Sequence, residues 1–181
     1  MTEHLSLERF SINPKRMAFL ESGWIRAIRR GDSRTFLDLA RKGIMNQFKL
    51  NGGSAKEAAR YLHKAWTSNR EAELRDRYLR YHGVLSARSG LGFDPNLATE
   101  QLVKMLQDGI SADNLSSYYS TIYRGVSEDS LRPAMEIRTD AFDRLNGLTE
   151  DSLPEEIWQG WRSFGDSLIR SYDLLDKALK N

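Results

Sequence analysis

The sequence predicts an all-α protein, a compact bundle of roughly eight helices with a long amphipathic helix at the C-terminus. Three observations carry this. Apolar residues recur every three or four positions along most of the chain, the repeat of one helical face. No short window alternates apolar and polar residues with β-branched enrichment, so nothing reads as a strand. Asn-Pro, Asp, Ser and Gly fall where helices need starts and stops.

Residues 1–12 read as an N-terminal arm with little pattern, and residues 13–181 as a single helical domain. Asn13-Pro14 sets a capping side chain before a proline suited to the first helical position. The helix it opens should run to about Arg30, ended by Gly31, with Met17, Leu20, Trp24 and Ile28 inward. Asp32 caps a second helix carrying Phe36, Leu37 and Ala40; it weakens at Gly43, and a short continuation ends at Asn51-Gly52-Gly53. Ser54 caps a third, with Ala58, Tyr61, Leu62, Ala65 and Trp66 inward. Ser68 and Glu71 have capping-box spacing and open a helix to about His82. Its pairs Glu71–Arg75, Glu73–Arg77 and Asp76–Arg80 mark an exposed, internally neutralised face opposite Leu74, Tyr78 and Tyr81.

Residues 84–98 form the longest irregular stretch, a candidate hinge or sub-domain boundary. Asp94 or Thr99 starts the next helix, with Leu102, Val103 and Leu106 inward and Gly109 at its end. Ser111 caps one holding Leu115, Tyr118, Tyr119 and Ile122. Ser127 precedes a segment running to Asn146-Gly147, in which Pro133 marks a first turn or a kink. Leu153-Pro154 opens the last helix, which reaches about Lys180. Its stripe is Ile157, Trp161, Phe164, Leu168, Tyr172, Leu175 and Leu179.

Composition narrows the function classes. With 40% hydrophobic and 29% charged residues the chain has the balance of a folded domain, not of a disordered one. No apolar run approaches the length of a membrane span. Glu3, Glu8, Arg9, Lys15 and Arg16 interrupt the N-terminal apolar positions, unlike a secretory signal. The absence of cysteine excludes disulfides, thiolate metal sites and a cysteine nucleophile, and fits the cytoplasm.

No catalytic residue, metal ligand set or cofactor motif emerges. His4, His63 and His82 lack liganding partners at helical spacing and read as surface or terminal residues. Gly90-Leu91-Gly92 lacks the preceding strand and the Lys-Ser/Thr of a phosphate loop. The acidic cluster Glu150, Asp151, Glu155 and Glu156 suits the positive end of a helix dipole.

Charge is the stronger signal. Residues 1–90 carry 18 basic against 9 acidic side chains, a net of +9; residues 91–181 carry 9 against 16, a net of −7. Arg26, Arg29, Arg30, Arg34, Arg41, Lys42 and Lys49 are the candidates for binding nucleic acid or an acidic partner. Arg29, Arg30, Arg41 and Lys42 also suit helix C-termini. Trp158, Trp161 and Phe164 are the candidate interface aromatics. The favoured expectation is a non-enzymatic binding or regulatory protein that meets a protein partner through helix faces. A nucleic-acid-binding protein using residues 15–64 is the alternative, and an enzyme with a site assembled from distant residues the third. The charge asymmetry also suggests head-to-tail self-association; a membrane partner is not expected.

Overall fold

Cap chemistry starts the first helix where the sequence places it. In the computed structural model, which describes residues 7–149 and 151–181, Asn13 Oδ1 accepts the Arg16 amide at 3.0 Å and Pro14 holds the first helical position. Helix α1 runs Pro14–Arg29. It is followed by α2 (Ser33–Phe48), α3 (Gly52–Trp66), α4 (Glu71–Ser89), α5 (Pro95–Asp108), α6 (Ala112–Ile122), α7 (Glu128–Asn146) and α8 (Pro154–Lys180). A 3-10 turn, Leu7–Phe10, precedes them, and the described residues hold no strand. The expected all-α architecture and long C-terminal helix are both present.

Each helix packs on the next in sequence, and α8 packs back on α1. The eight helices therefore close into a ring with one continuous core. Phe10, Met17, Phe36, Tyr123, Phe164 and Tyr172 are among its most deeply buried side chains. The turn Leu7–Phe10 lies on α8 and sets Phe10 edge-on to Tyr123, with centroids 6.3 Å apart. Phe10 and Ile12 are thus core residues in what reads from sequence as a patternless arm. Residues 1–6, with His4, lie outside the described residues, as does Glu150.

Several local expectations are corrected. Gly43 does not weaken α2, which runs through it unbroken. It is a contact point: a Cβ there would sit 2.2 Å from Cζ3 of Trp24. Gly23 plays the same part in α1, where a Cβ would meet Leu39 Cδ1 at 2.7 Å. The two glycines let α1 and α2 approach closely. Asn51, not Ser54, caps α3; its Oδ1 accepts the Ser54 amide at 2.9 Å, so Gly52 and Gly53 form the first turn. Ser68 and Glu71 make no capping box, because α4 begins at Glu71 itself. Trp66 and Leu106 lie exposed, not inward.

The stretch 84–98 is half helix. α4 continues past Gly83 to Ser89 and ends at Gly90, whose φ of 76° is the left-handed conformation glycine adopts without strain. Ser86 donates to the Phe93 carbonyl at 2.6 Å and Arg124 to that of Gly92 at 3.1 Å, pinning the short connection. Asp94 then caps α5. Of the three expected pairs on α4 only Asp76–Arg80 forms, at 3.0 Å. Arg75 reaches across to Glu100 of α5, and Glu71 accepts from Gln107 at 2.8 Å. Pro133 sits inside α7 without ending it.

Leu168 is fully buried, and α8 is interior from Phe164 to Leu179 along its apolar stripe. Its first turns extend beyond the core, leaving Leu153 and Trp158 exposed and Trp161 half-buried at the core's edge. Leu168→Ala should therefore cost about 2–5 kcal/mol in a urea melt, the range for emptying a core site. Gly43→Ala should cost about 1–3 kcal/mol through its clash with Trp24. Trp158→Ala should stay within about 0.5 kcal/mol.

Candidate functional site

Ring closure brings together two groups of residues that are far apart in sequence. α1 presents Arg26 and Arg29 one turn apart; α8 presents Trp161. The Arg26 guanidinium lies 4.7 Å from the Trp161 ring centroid and that of Arg29 5.6 Å away. Arg29 also donates to Asn146 Oδ1 at 2.6 Å, tying the end of α1 to the end of α7. One turn earlier on α8 stands Trp158, whose ring centroid lies 5.5 Å from the Arg162 guanidinium.

Of these residues Arg26, Trp161 and Arg162 border a groove of about 270 Å³ along the α1–α8 seam. Ala18, Gly23, Gly165 and Ile169 are among its lining, and a Cβ added to Gly165 would meet nothing within 4 Å. Trp161 and Phe19 supply aromatic walls, and Phe19 is 72% exposed. Lys15, Arg26 and Arg162 contribute three cations against the single carboxylate of Asp166. None of these three cations has an ion-pair partner among the described residues. A larger groove of about 880 Å³ continues past Lys15 and Ile169 toward Ile12 and Leu174. Exposed arginines beside aromatics at a concave seam are the chemistry of binding, with the apolar walls supplying affinity and the cations selecting charge.

The remaining candidates disperse. Arg30 and Arg34 are exposed at the α1–α2 turn. Arg41 and Lys42 share Asp38, at 3.3 and 2.6 Å. Lys49 donates to the Ser11 carbonyl at 2.7 Å. Phe164 is only 2% exposed and packs edge-on against Phe142 and Trp161, so it supports the seam from inside. Trp158 is 61% exposed. Phe19, missed in the sequence reading, is the one large aromatic of α1 lying off the Met17–Leu20–Trp24 stripe, and that displacement was its signal.

A second set of polar groups lies inside the ring. Glu21 of α1 accepts from Arg138 of α7 and, at 2.7 Å, from the Tyr172 hydroxyl of α8. Gln47 donates to the Tyr123 hydroxyl at 3.1 Å. His82 is wholly buried, which corrects its reading as a surface residue. Thr99 gives its hydroxyl proton to the Pro95 carbonyl at 2.7 Å. It therefore accepts from His82 Nδ1 at 2.9 Å, leaving His82 Nε2 to accept from Tyr118 at 2.8 Å. Burial pushes the Tyr118 hydroxyl well above its usual range, which keeps it a donor. Burial likewise lowers His82 to about 3. These groups satisfy one another and line none of the grooves along α8, so their chemistry is that of holding helices together.

Comparison with family models finds no match, and neither curated proteins nor solved structures match the chain. The fold and the seam geometry therefore carry the functional argument alone.

His82 makes stability depend on pH with a definite sign. The unfolded imidazole takes its proton near 6.5 and the folded one only near 3. Above 6.5 the group adds no pH dependence. As pH falls toward 3 the unfolded chain binds the extra proton and stability is lost, by at most about 1.4 kcal/mol per pH unit. Urea melts of wild type and His82→Gln at about pH 7 and about pH 4.5 should show the larger acid loss in wild type. Equal losses would remove His82 as the cause.

Proposed function

We propose that this chain is a non-catalytic binding protein whose α1–α8 groove takes an acidic, apolar-anchored helical segment of a partner protein. The observation that carries the reading is an apolar, aromatic-walled seam rimmed by Lys15, Arg26 and Arg162, cations with no ion-pair partner among the described residues. An amphipathic helix laid in such a groove buries its apolar stripe and sets its carboxylates against the rim. Phe19 in the groove wall and Trp158 one turn before Trp161 on α8 are exposed aromatics that a partner could cover, and tryptophan and arginine are enriched among the anchors of protein interfaces. A reducing compartment such as the cytoplasm accords with the cysteine-free sequence.

A nucleic-acid reading draws on the same seam, because arginine and tryptophan together also form a platform for single-stranded bases. It is weakened by the fate of the other cations: Arg41 and Lys42 are neutralised by one carboxylate, and Lys49 is held by a backbone carbonyl.

Tryptophan fluorescence distinguishes the two. The protein is titrated with a helical Glu/Leu peptide, with the same peptide carrying Lys for Glu, and with a single-stranded oligonucleotide. The acidic peptide should bind and the basic one should not. Arg26→Ala with Arg162→Ala should weaken that binding at least about ten-fold, or about 1.4 kcal/mol, with an unchanged thermal melt. Tighter binding of the oligonucleotide, lost in the same double variant, would replace the protein-partner reading with the nucleic-acid one.

A further inference from the structure

We infer that the protein associates head to tail with copies of itself, a basic stripe on α3 of one copy meeting an acidic stripe on α7 of the next. The stripes follow from helical geometry. Lys56, Arg60 and Lys64 recur every four residues on α3, opposite its buried alanines, and all three are exposed. On α7, Glu136, Asp140 and Asp143 are exposed at spacings of four and three, opposite Met135, Arg138 and Ala141, and Asp129 falls on the same face two turns earlier. None of these seven side chains has an ion-pair partner among the described residues. Lys56 to Lys64 spans about 12 Å of helix and Glu136 to Asp143 about 10 Å, so the stripes match in length.

Their surroundings leave both charges standing. Glu57 shares the exposed side of α3 and offsets one of its three cations. Asp32 and Arg34, on either side of Ser33, attract each other and leave that balance unchanged. Arg132 pairs with Asp113 of α6, and Arg144, which donates to the Ser167 hydroxyl at 3.2 Å, keeps its charge and offsets one of the four carboxylates.

Ring order supplies the geometry. α3 and α7 stand four places apart in the cycle of packed helices and do not pack on each other. The two stripes form no ion pair with each other within one copy among the described residues. The contact between copies joins unlike surfaces, leaves one free stripe at each end, and so extends into open chains without closing as a symmetric dimer. The net +9 and −7 of the two halves of the sequence orient approaching copies the same way. Charge carries the contact, so it weakens as salt shortens the screening length from about 30 Å at 0.01 M to about 8 Å at 0.15 M.

Sedimentation equilibrium of the full chain tests this at those two ionic strengths. Wild type at low salt should show an average mass that keeps rising with protein concentration, and at the higher salt should fall toward the monomer. One variant carries Lys56→Gln, Arg60→Gln and Lys64→Gln; a second carries Glu136→Gln, Asp140→Asn and Asp143→Asn. Each alone should remain monomeric with a wild-type melt, and an equimolar mixture should form dimers that grow no further. A wild type that stays monomeric at low salt, or stops at a dimer, overturns the proposal. So does association that survives in either variant. The α1–α8 groove belongs to neither stripe, so this result and the peptide titration are independent.

Discussion

The ring depends on one buried ion pair. Glu21, Arg138 and Tyr172 come from α1, α7 and α8, the three helices at which the ring closes. Removing a carboxylate and a guanidinium from water costs several kcal/mol per ion, which is recovered only where the geometry is good and the remaining hydrogen-bonding positions are filled. Here Glu21 accepts from both partners, and the guanidinium also lies 5.2 Å from the Tyr172 ring centroid and 5.9 Å from that of Phe142. Turning α1 or α7 by one residue would strand a charge in the core, and turning α8 would take the Tyr172 donor from Glu21. The three groups together therefore set the rotation of α1 against α7 and α8, and with it the placement of Arg26 over Trp161.

The features legible in the sequence were the local ones. Asn13-Pro14, Ser111 and Leu153-Pro154 mark helix starts through contacts within four residues, and the stripes of α1, α6 and α8 need only their own periodicity. The misreadings have distant causes. Gly43 looks like a helix breaker until Trp24 is seen against it. Arg75 has Glu71 one turn away yet bonds Glu100, because α5 lies alongside. His82 could have been placed inside: Tyr78, His82, Leu85 and Ser89 lie on one helical face, which a helix ended at His82 hides. The candidate site was half legible in the same sense. Arg26, Arg29, Trp158 and Trp161 are all recognisable by type, but their meeting depends on the contact between the first helix and the last.

That contact forms the candidate groove. The α1–α8 seam joins the two ends of the chain without a connecting loop, and Phe19 of the first helix and Trp161 of the last stand at its margin. The α3 and α7 faces, by contrast, are ordinary polar exteriors. What distinguishes them is charge that has no ion-pair partner among the described residues.

Closure of the ring also separates two kinds of folding event. Every other helix pair in the ring joins neighbours in the chain and can form by a local search, the sort of contact that assembles fast. The seam instead joins residues such as Glu21 and Tyr172, 151 positions apart, and must await the rest. A helix that lies in the groove touches both edges of that last-formed junction. Occupying it would act as a clasp, slowing the opening of the ring more than it speeds its assembly.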